Sequence, residues 1–192
     1  MTHRSIYILT PLFFFILAPL LGTAKQQISV SYYNQEEINS RVTNVPDFIP
    51  LVNTENIESG MMVFYEKKLF DFAWFLSCYG GVDVGNWKKG GDQVYSGSSF
   101  VAYRLWFFHF PMIHPYVEYS AMGPTFISKG DFGGNHFQSR FIFQNYLSIG
   151  VEFGEGLGMN LDIRFIRYSE GNFSKEGEAF RVPTLISLGF LF

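Results

Sequence analysis

The segment Leu157–Ser169, with the sequence LGMNLDIRFIRYS, decides the fold predicted for this chain. Along it, apolar side chains occupy alternate positions, and the positions between them are mostly charged or amide. One set is Met159, Leu161, Ile163, Phe165, Arg167 and Ser169, and the other is Asn160, Asp162, Arg164, Ile166 and Tyr168. Successive side chains of a strand point to opposite faces, so the segment predicts a strand with one apolar and one polar face.

Seven further segments show strand signals. They are Ile28–Tyr33, Gly60–Tyr65, Phe70–Tyr79, Ser98–Phe108, Tyr116–Ile127, Phe141–Phe153 and Ile186–Phe192. The predicted short connections are Glu66–Lys68, Phe110–Pro115 and Glu155–Gly156, and the long ones are Asn34–Ser59, Gly80–Gly97, Lys129–Arg140 and Glu170–Glu178. Membrane barrels alternate short periplasmic turns with longer external loops. The sequence therefore predicts an all-β fold, an eight-stranded antiparallel transmembrane β-barrel with both termini on the periplasmic side.

The composition fits such a barrel and excludes other classes of protein. Hydrophobic residues make up 47% of the 192 residues, which excludes a disordered chain. Aromatic residues reach 19%, yet the mean hydropathy is only +0.09, because a barrel has apolar residues at every second position instead of in long runs. The net charge of −3 predicts no nucleic-acid partner, which would require a basic face. The single cysteine, Cys78, rules out an internal disulfide.

The alternative fold is a soluble barrel of the lipocalin type, which has an apolar interior and a polar exterior. Four charged residues favour the membrane version: Glu118, Glu152, Asp162 and Arg164. They lie among serine and glycine, which suits a narrow polar lumen. We expect these charges to form ion pairs there and not an acid pair or a metal site.

Tryptophans and glycine pairs give two local predictions. Trp74, Trp87 and Trp106 are predicted to lie in aromatic girdles at the membrane interfaces. Gly80-Gly81 and Gly90-Gly91 are predicted to mark flexible loops. They do not form a phosphate-binding fingerprint, because no helix follows them.

The first 24 residues are predicted to be a signal peptide that is removed on export. Arg4 precedes the apolar stretch Ile6–Leu21, and Gly22-Thr23-Ala24 supplies the small residues of a cleavage site. A retained membrane anchor is the alternative, but two prolines weaken the stretch as a helix, and it is shorter than the roughly 20 residues that span a bilayer. Residues 25–192 then form the barrel. The terminal Phe192 resembles the C-terminal signature that the barrel assembly machinery reads, so this machinery is the expected partner and the bacterial outer membrane the expected location.

Three stretches of the C-terminal half resemble the outer-membrane lipid A 3-O-deacylase family. Pro115–Tyr119 (PYVEY) is similar to the family's Pro-Tyr strand, and Phe141–Asn145 (FIFQN), followed by Ile149–Val151, is similar to its Phe-polar-Phe strand. Arg167–Gly171 (RYSEG) falls where the family has a His-x-Ser-Asn-Ala/Gly motif. The resemblance covers about residues 98–192. It implies an eight-stranded barrel that removes the 3-linked acyl chain of lipid A.

The resemblance also implies a set of site residues. Ser169 falls at the position of the nucleophile, and Glu178 or Glu176 at the position of the orienting carboxylate. Arg167 stands where the family has its catalytic histidine, and a guanidinium cannot accept the serine proton because it stays protonated at biological pH. Glu170 replaces an asparagine that helps the oxyanion, and a carboxylate there would oppose the developing negative charge.

Other residues receive supporting roles. We expect Arg167, Glu170, Phe141 and Phe143 to bind the substrate, Arg167 through a lipid A phosphate. The only histidine near enough to replace the missing base is His136, in an external loop. The remaining candidates, His109 and His114, are predicted to lie on the periplasmic side, across the bilayer from Ser169.

Two functions remain open at this point. The first is hydrolysis of a lipid A acyl ester in the outer leaflet, with Ser169 as nucleophile and no metal or organic cofactor implied. The second is a catalytically inactive family member, a structural or lipid A-binding barrel. Both have lipopolysaccharide and outer-membrane lipids as partners. A general pore is excluded because eight strands leave no wide channel.

Overall fold

The computed structural model describes residues 25–34, 55–108, 112–154, 157–170 and 179–192. Eight long strands, numbered here in chain order, are β1 (Gln26–Asn34), β2 (Ser59–Ala73), β3 (Leu76–Lys89), β4 (Asp92–Trp106), β5 (Ile113–Ile127), β6 (Phe141–Phe153), β7 (Gly158–Ser169) and β8 (Ala179–Leu191). Each pairs antiparallel with its sequence neighbours, and β1 also pairs with β8, where Gln27 lies opposite Leu191. The sheet is therefore closed, and the predicted eight-stranded antiparallel barrel is confirmed. Within the described ranges, no helix is long and apolar enough to cross a membrane.

The connections between strands divide between the two ends of the barrel. Trp74-Phe75, residues 107–112 and residues 154–157 join strands at the end where β1 begins and β8 finishes, which we call the periplasmic end. The junctions β1–β2, β3–β4, β5–β6 and β7–β8 lie at the opposite, external end, where Gly90-Gly91 and residues 128–140 are described. Within residues 128–140, Asp131–Phe132 and Asn135–His136 pair as a small hairpin.

The first half of the barrel corrects two predicted connections. Glu66–Lys68 and Gly80–Gly97 are not loops: Glu66–Lys68 lies inside β2, and β3 and β4 together account for most of Gly80–Gly97. The turn between β2 and β3 is Trp74-Phe75, in the middle of the predicted strand Phe70–Tyr79. The predicted turn at Gly90-Gly91 is confirmed, with φ of 57° and 80°, a conformation that glycine adopts without strain.

Gly81, which was predicted to mark a loop, is needed for close packing inside the barrel. A Cβ on Gly81 would lie 2.4 Å from the carbonyl oxygen of Tyr65 and 2.5 Å from Cζ of Phe100. A larger residue has no room at this point, because the ring of Phe100 fills the lumen directly against the strand. Glycine therefore marks a tight interior here and not a break in the strand.

The lumen contains a buried network of ion pairs centred on Arg104. Its Nε donates to Oε2 of Glu118 at 2.6 Å and its Nη2 to Oε2 of Glu66 at 2.8 Å, while Nη1 donates to Glu152. Arg164 joins the network through Glu66, at 2.8 Å from its Nη1, and through Asp162, at 2.7 Å from its Nε. The predicted ion pairing of Glu118, Glu152, Asp162 and Arg164 inside the lumen is confirmed.

Two of the three tryptophans lie inside the barrel and not in interfacial girdles. Trp87 is 0% exposed and Trp106 is 8% exposed, and each indole N–H donates to a lumen serine, Ser96 and Ser77 respectively, at 3.0 Å. The girdle prediction is wrong for both, because the lumen provides hydroxyl acceptors for their N–H groups and aromatic neighbours for their rings. Only Trp74, 73% exposed at the periplasmic turn, lies on the outside as expected.

The outer wall of the barrel is apolar. Exposed side chains on it include Val30, Met61, Val84, Val101, Leu161, Ile163, Ile186, Leu188 and Phe190. The charged network of Glu66, Arg104, Glu118, Glu152, Asp162 and Arg164 is buried in the lumen and the outer wall is mainly apolar, so the soluble lipocalin arrangement is wrong for this chain.

Candidate lipid-facing site

Ser169 lies on the outer wall, at the external end of β7. The preceding residue, Tyr168, points into the lumen, where its ring stacks on Phe180 with centroids 4.6 Å apart. Because neighbours along a strand point to opposite faces, Ser169 and Arg167 point outward, and both are half-buried. Ser169 lies opposite Phe143 on β6 and Ala179 on β8. The serine is therefore on the outer wall, at the rim of the external end of the barrel.

Arg167 lies one row below Ser169, toward the periplasm. It is opposite Asn145 on β6 and Arg181 on β8, so two arginines are direct cross-strand neighbours on the outer wall. The short strand Glu55–Asn56 continues this row, because Asn56 pairs with Arg181 in parallel. Sequence reasoning missed Arg181, since its position next to Arg167 depends on the register between β7 and β8.

A bulge in β8 turns Arg181 outward. Arg164 lies opposite Leu185 and Ile166 opposite Val182, so Pro183 and Thr184 together face the single residue Phe165. Proline cannot donate a ladder hydrogen bond and is found in strands at such irregularities. Val182 is consequently buried in the lumen, and Arg181 is the residue that faces outward.

Glu170 ties the rim of β7 to the loop between β5 and β6. Its carboxylate accepts a hydrogen bond from the backbone N–H of Gln138. The two carboxylates expected to orient a catalytic base, Glu176 and Glu178, lie outside the described residues.

The histidines are distributed as follows. His136 is exposed and pairs with Asp131 across the small external hairpin. His114 packs edge-on against Trp106, with ring centroids 6.4 Å apart. This contact is at the periplasmic end, the side on which His114 was predicted to lie. His109 lies outside the described residues.

Phe141 and Phe143 form an aromatic pair beside Ser169. Their ring centroids are 5.6 Å apart, and Phe141 is largely exposed on the outer wall. Since Phe143 is the cross-strand neighbour of Ser169, an apolar chain lying along β6 would place its polar end at the serine. The arrangement suits an amphipathic ligand held from the side, within the membrane plane.

The comparisons with known proteins agree with this geometry. The family described as lipid A 3-O-deacylase (PagL) matches residues 59–178, more than half of the chain. The crystal structure of the outer membrane enzyme PagL is similar at a TM-score of 0.57 and 16% identity, over 87% of this chain and 98% of that one. The crystal structure of Neisserial surface protein A (NspA) is similar at a TM-score of 0.54 and 12% identity, over 88% and 96%. A search of curated proteins found no match.

The two similar structures show the fold, and the match to the family model shows the family. The chain therefore belongs to the lipid A 3-O-deacylase (PagL) family of outer-membrane barrels.

Proposed function

We propose that this lipid A 3-O-deacylase-like barrel acts on lipid A at the outward site that contains Ser169. The observation that carries the proposal is the position of this serine, on the lipid-facing wall at the external end of β7, directly opposite Phe143. Lipid A of the outer leaflet has its acyl esters at the boundary between its sugar and its hydrocarbon. A serine at that level can meet an ester without the lipid leaving the membrane.

Hydrolysis at this site would follow the usual course for a serine nucleophile. The Ser169 hydroxyl attacks the ester carbonyl, the sugar hydroxyl leaves with a proton, and water then releases the fatty acid from the acyl-serine. Glu178, or Glu176, is the proposed orienting carboxylate. Because Arg167 cannot accept the serine proton, the base must be another group. The two candidates in the described part of the chain are His136, whose Nδ1 pairs with Asp131 and leaves Nε2 as the possible acceptor, and Glu170, one of whose oxygens accepts from Gln138.

Binding without hydrolysis is the second candidate function, and one observation favours it. Arg167 replaces the catalytic histidine with a side chain suited to hold phosphate through paired N–H donors. The scaffold would then keep its lipid A site and lose the chemical step. The two candidates share the ligand and the site and differ only in whether an acyl chain is released.

Mass spectrometry of lipid A from cells expressing the full chain separates these two functions. Hydrolysis predicts the loss of one 3-linked hydroxyacyl chain, which Ser169→Ala abolishes. Ser139→Ala, in the external loop, is the matched control and should behave like the unchanged protein. Intact lipid A in cells that contain the folded barrel would refute hydrolysis and leave the binding function.

We also propose that residues 1–24 are removed on export and that the barrel assembly machinery inserts residues 25–192. The support is the small-residue sequence Gly22-Thr23-Ala24 and the terminal Phe192. The mass of the chain purified from outer membranes tests the cleavage, and a mass that includes residues 1–24 would refute it.

A further inference from the structure

Arg167 and Arg181 are an unusual pair for a wall that faces lipid. They lie directly opposite each other on β7 and β8, and their side chains are on the outer face. Direct cross-strand neighbours have their Cβ atoms about 4.5–5.5 Å apart, and like charges at this separation destabilise a sheet. Two guanidinium groups in directly opposite positions are therefore expected to repel each other. An anion held between them would remove this repulsion.

The surroundings specify what kind of anion this is. Toward the periplasm, the same face continues with Phe165 on β7 and Leu147 on β6, and then with Ile163 and Ile149. On the external side it continues with Ser169 and Phe143. An anion in this place has apolar side chains below it and lies next to the serine. This arrangement fits the charged head of a lipid whose chains run along the wall.

We propose that Arg167 and Arg181 together bind one phosphate group of lipid A and thereby hold the glycolipid against the barrel with an acyl ester near Ser169. Two planar guanidiniums can offer several N–H donors to the oxygens of one phosphate, which a single lysine cannot do. The inference rests on the proposed function for the identity of the lipid. It adds Arg181 to the site and makes the phosphate groups of lipid A a determinant of recognition.

The spacing is compatible with one lipid molecule reaching both places. Residues two apart on a strand have Cα atoms about 6.5–7 Å apart, which is the separation of Arg167 from Ser169 along β7. Strands of such barrels are tilted by about 35–45°, so the arginine row lies beside the serine as well as below it. A phosphate and an acyl ester on the same phosphorylated glucosamine are separated by a similar distance, on the order of one sugar ring. Asn145 and Asn56 flank the arginine row at its two ends.

Binding of lipid A to the full barrel in detergent micelles tests the proposal. The ligands are lipid A with its phosphates, lipid A from which the phosphates have been removed, and inorganic phosphate as a competitor. Arg181→Gln should weaken binding of phosphorylated lipid A about tenfold or more, which corresponds to about 1.4 kcal/mol or more. The same change should leave binding of the dephosphorylated lipid unaltered. Arg167→Gln should have the same selective effect.

Arg140→Gln is the matched control, because Arg140 is also an arginine at the external end but precedes β6 by one residue. It is five residues from Asn145, roughly 16 Å along the strand, and should bind both lipids like the unchanged protein. Heat-dependent electrophoretic mobility shows whether each variant is folded. If the Arg181→Gln barrel is folded and still prefers phosphorylated lipid A to the same degree, the proposal is wrong. It is also wrong if inorganic phosphate binds as tightly as the lipid, because the site would then accept a free anion.

These results separate the phosphate site from the proposed function. Hydrolysis can fail while the phosphate site stands, if Arg181→Gln loses affinity and no acyl chain is ever released. The phosphate site can fail while hydrolysis stands, if Ser169→Ala blocks acyl release and Arg181→Gln changes nothing. An unchanged barrel that binds no lipid A in either form would overturn both.

Discussion

At the residue scale, one substitution decides what the site can do. In the proposed site, Arg167 is two residues along the strand from Ser169, where the resemblance to the family implies the histidine base. General base catalysis typically contributes 10²- to 10⁴-fold to a rate. A site without that base can retain substrate binding while losing most of its turnover. The position of Glu170, bonded to the loop through Gln138, adds a second departure from the family motif.

Restoring both residues should therefore raise the deacylation rate. The double variant Arg167→His, Glu170→Asn supplies an imidazole and an amide where the family motif has them. We expect at least a tenfold increase in release of hydroxy fatty acid over the unchanged chain. The measurement is the fraction of lipid A that has lost one acyl chain, by mass spectrometry.

The triple variant that adds Ser169→Ala to the same pair is the control and should be inactive. A folded double variant that releases no more fatty acid than this control would argue that Ser169 does not lie in a usable site.

The sequence allowed Ser169 and Arg167 to be placed on the outer face, but it could not reveal Arg181. Strict alternation counted back from Ile186 would put Val182 outside and Arg181 in the lumen. The bulge at Pro183-Thr184 reverses this parity. Pro183 indicates an irregularity in this strand, but the pairing of β8 with β7 determines which residues the bulge turns outward.

At the element scale, the prediction was accurate where polar and apolar side chains alternate cleanly. The segments for β5, β6 and β7 correspond closely to the observed strands. It was less accurate for β2, β3 and β4, where glycines replace the polar residues on the inner face and lysines lie within the strand. Similarly, β8 begins at Ala179 and not at Ile186, because its bulge interrupts the period.

Two glycines allow the packing explanation to be tested. Gly81→Ala introduces a methyl group 2.4 Å from the Tyr65 carbonyl oxygen, and overpacking of this kind typically costs about 1–3 kcal/mol. Gly97→Ala is the matched control, since its nearest neighbour would be 4.0 Å away and alanine restricts the unfolded chain. We expect Gly81→Ala to lower the free energy of unfolding and Gly97→Ala to leave it unchanged or raise it by up to about 1 kcal/mol.

Denaturant titration of both variants, refolded in lipid vesicles, provides the free energies of unfolding. Equal stabilities of the two variants would show that Gly81 is not required by packing.

At the scale of the whole molecule, the barrel is a filled cylinder. Arg104, Arg164 and their carboxylates form a buried network in the lumen, with Trp106 next to Arg104 toward the periplasmic end and Trp87 toward the external end. Breaking such a buried network by removing one partner is costly, because it leaves an uncompensated charge in the interior. The lumen is therefore a structural core and not a route for solutes.

The filled lumen predicts that the protein does not conduct ions. Inserted into a planar bilayer, the unchanged barrel should give no stepwise current under an applied voltage, because eight strands leave an interior just wide enough for side chains. A general porin measured in the same bilayer is the positive control. Regular current steps from the pure barrel would contradict the packed interior.

The pairing of β1 with β8 has a consequence for biogenesis. β1, which begins at residue 26, pairs with β8, which ends at residue 191. β1 is therefore synthesised well before the strand that closes the barrel on it. No partial product can seal itself, and each exposes an unpaired edge until the last strand has been made. Closure of the barrel therefore requires β8, and a chain that lacks β8 is expected to keep an unpaired edge on β1.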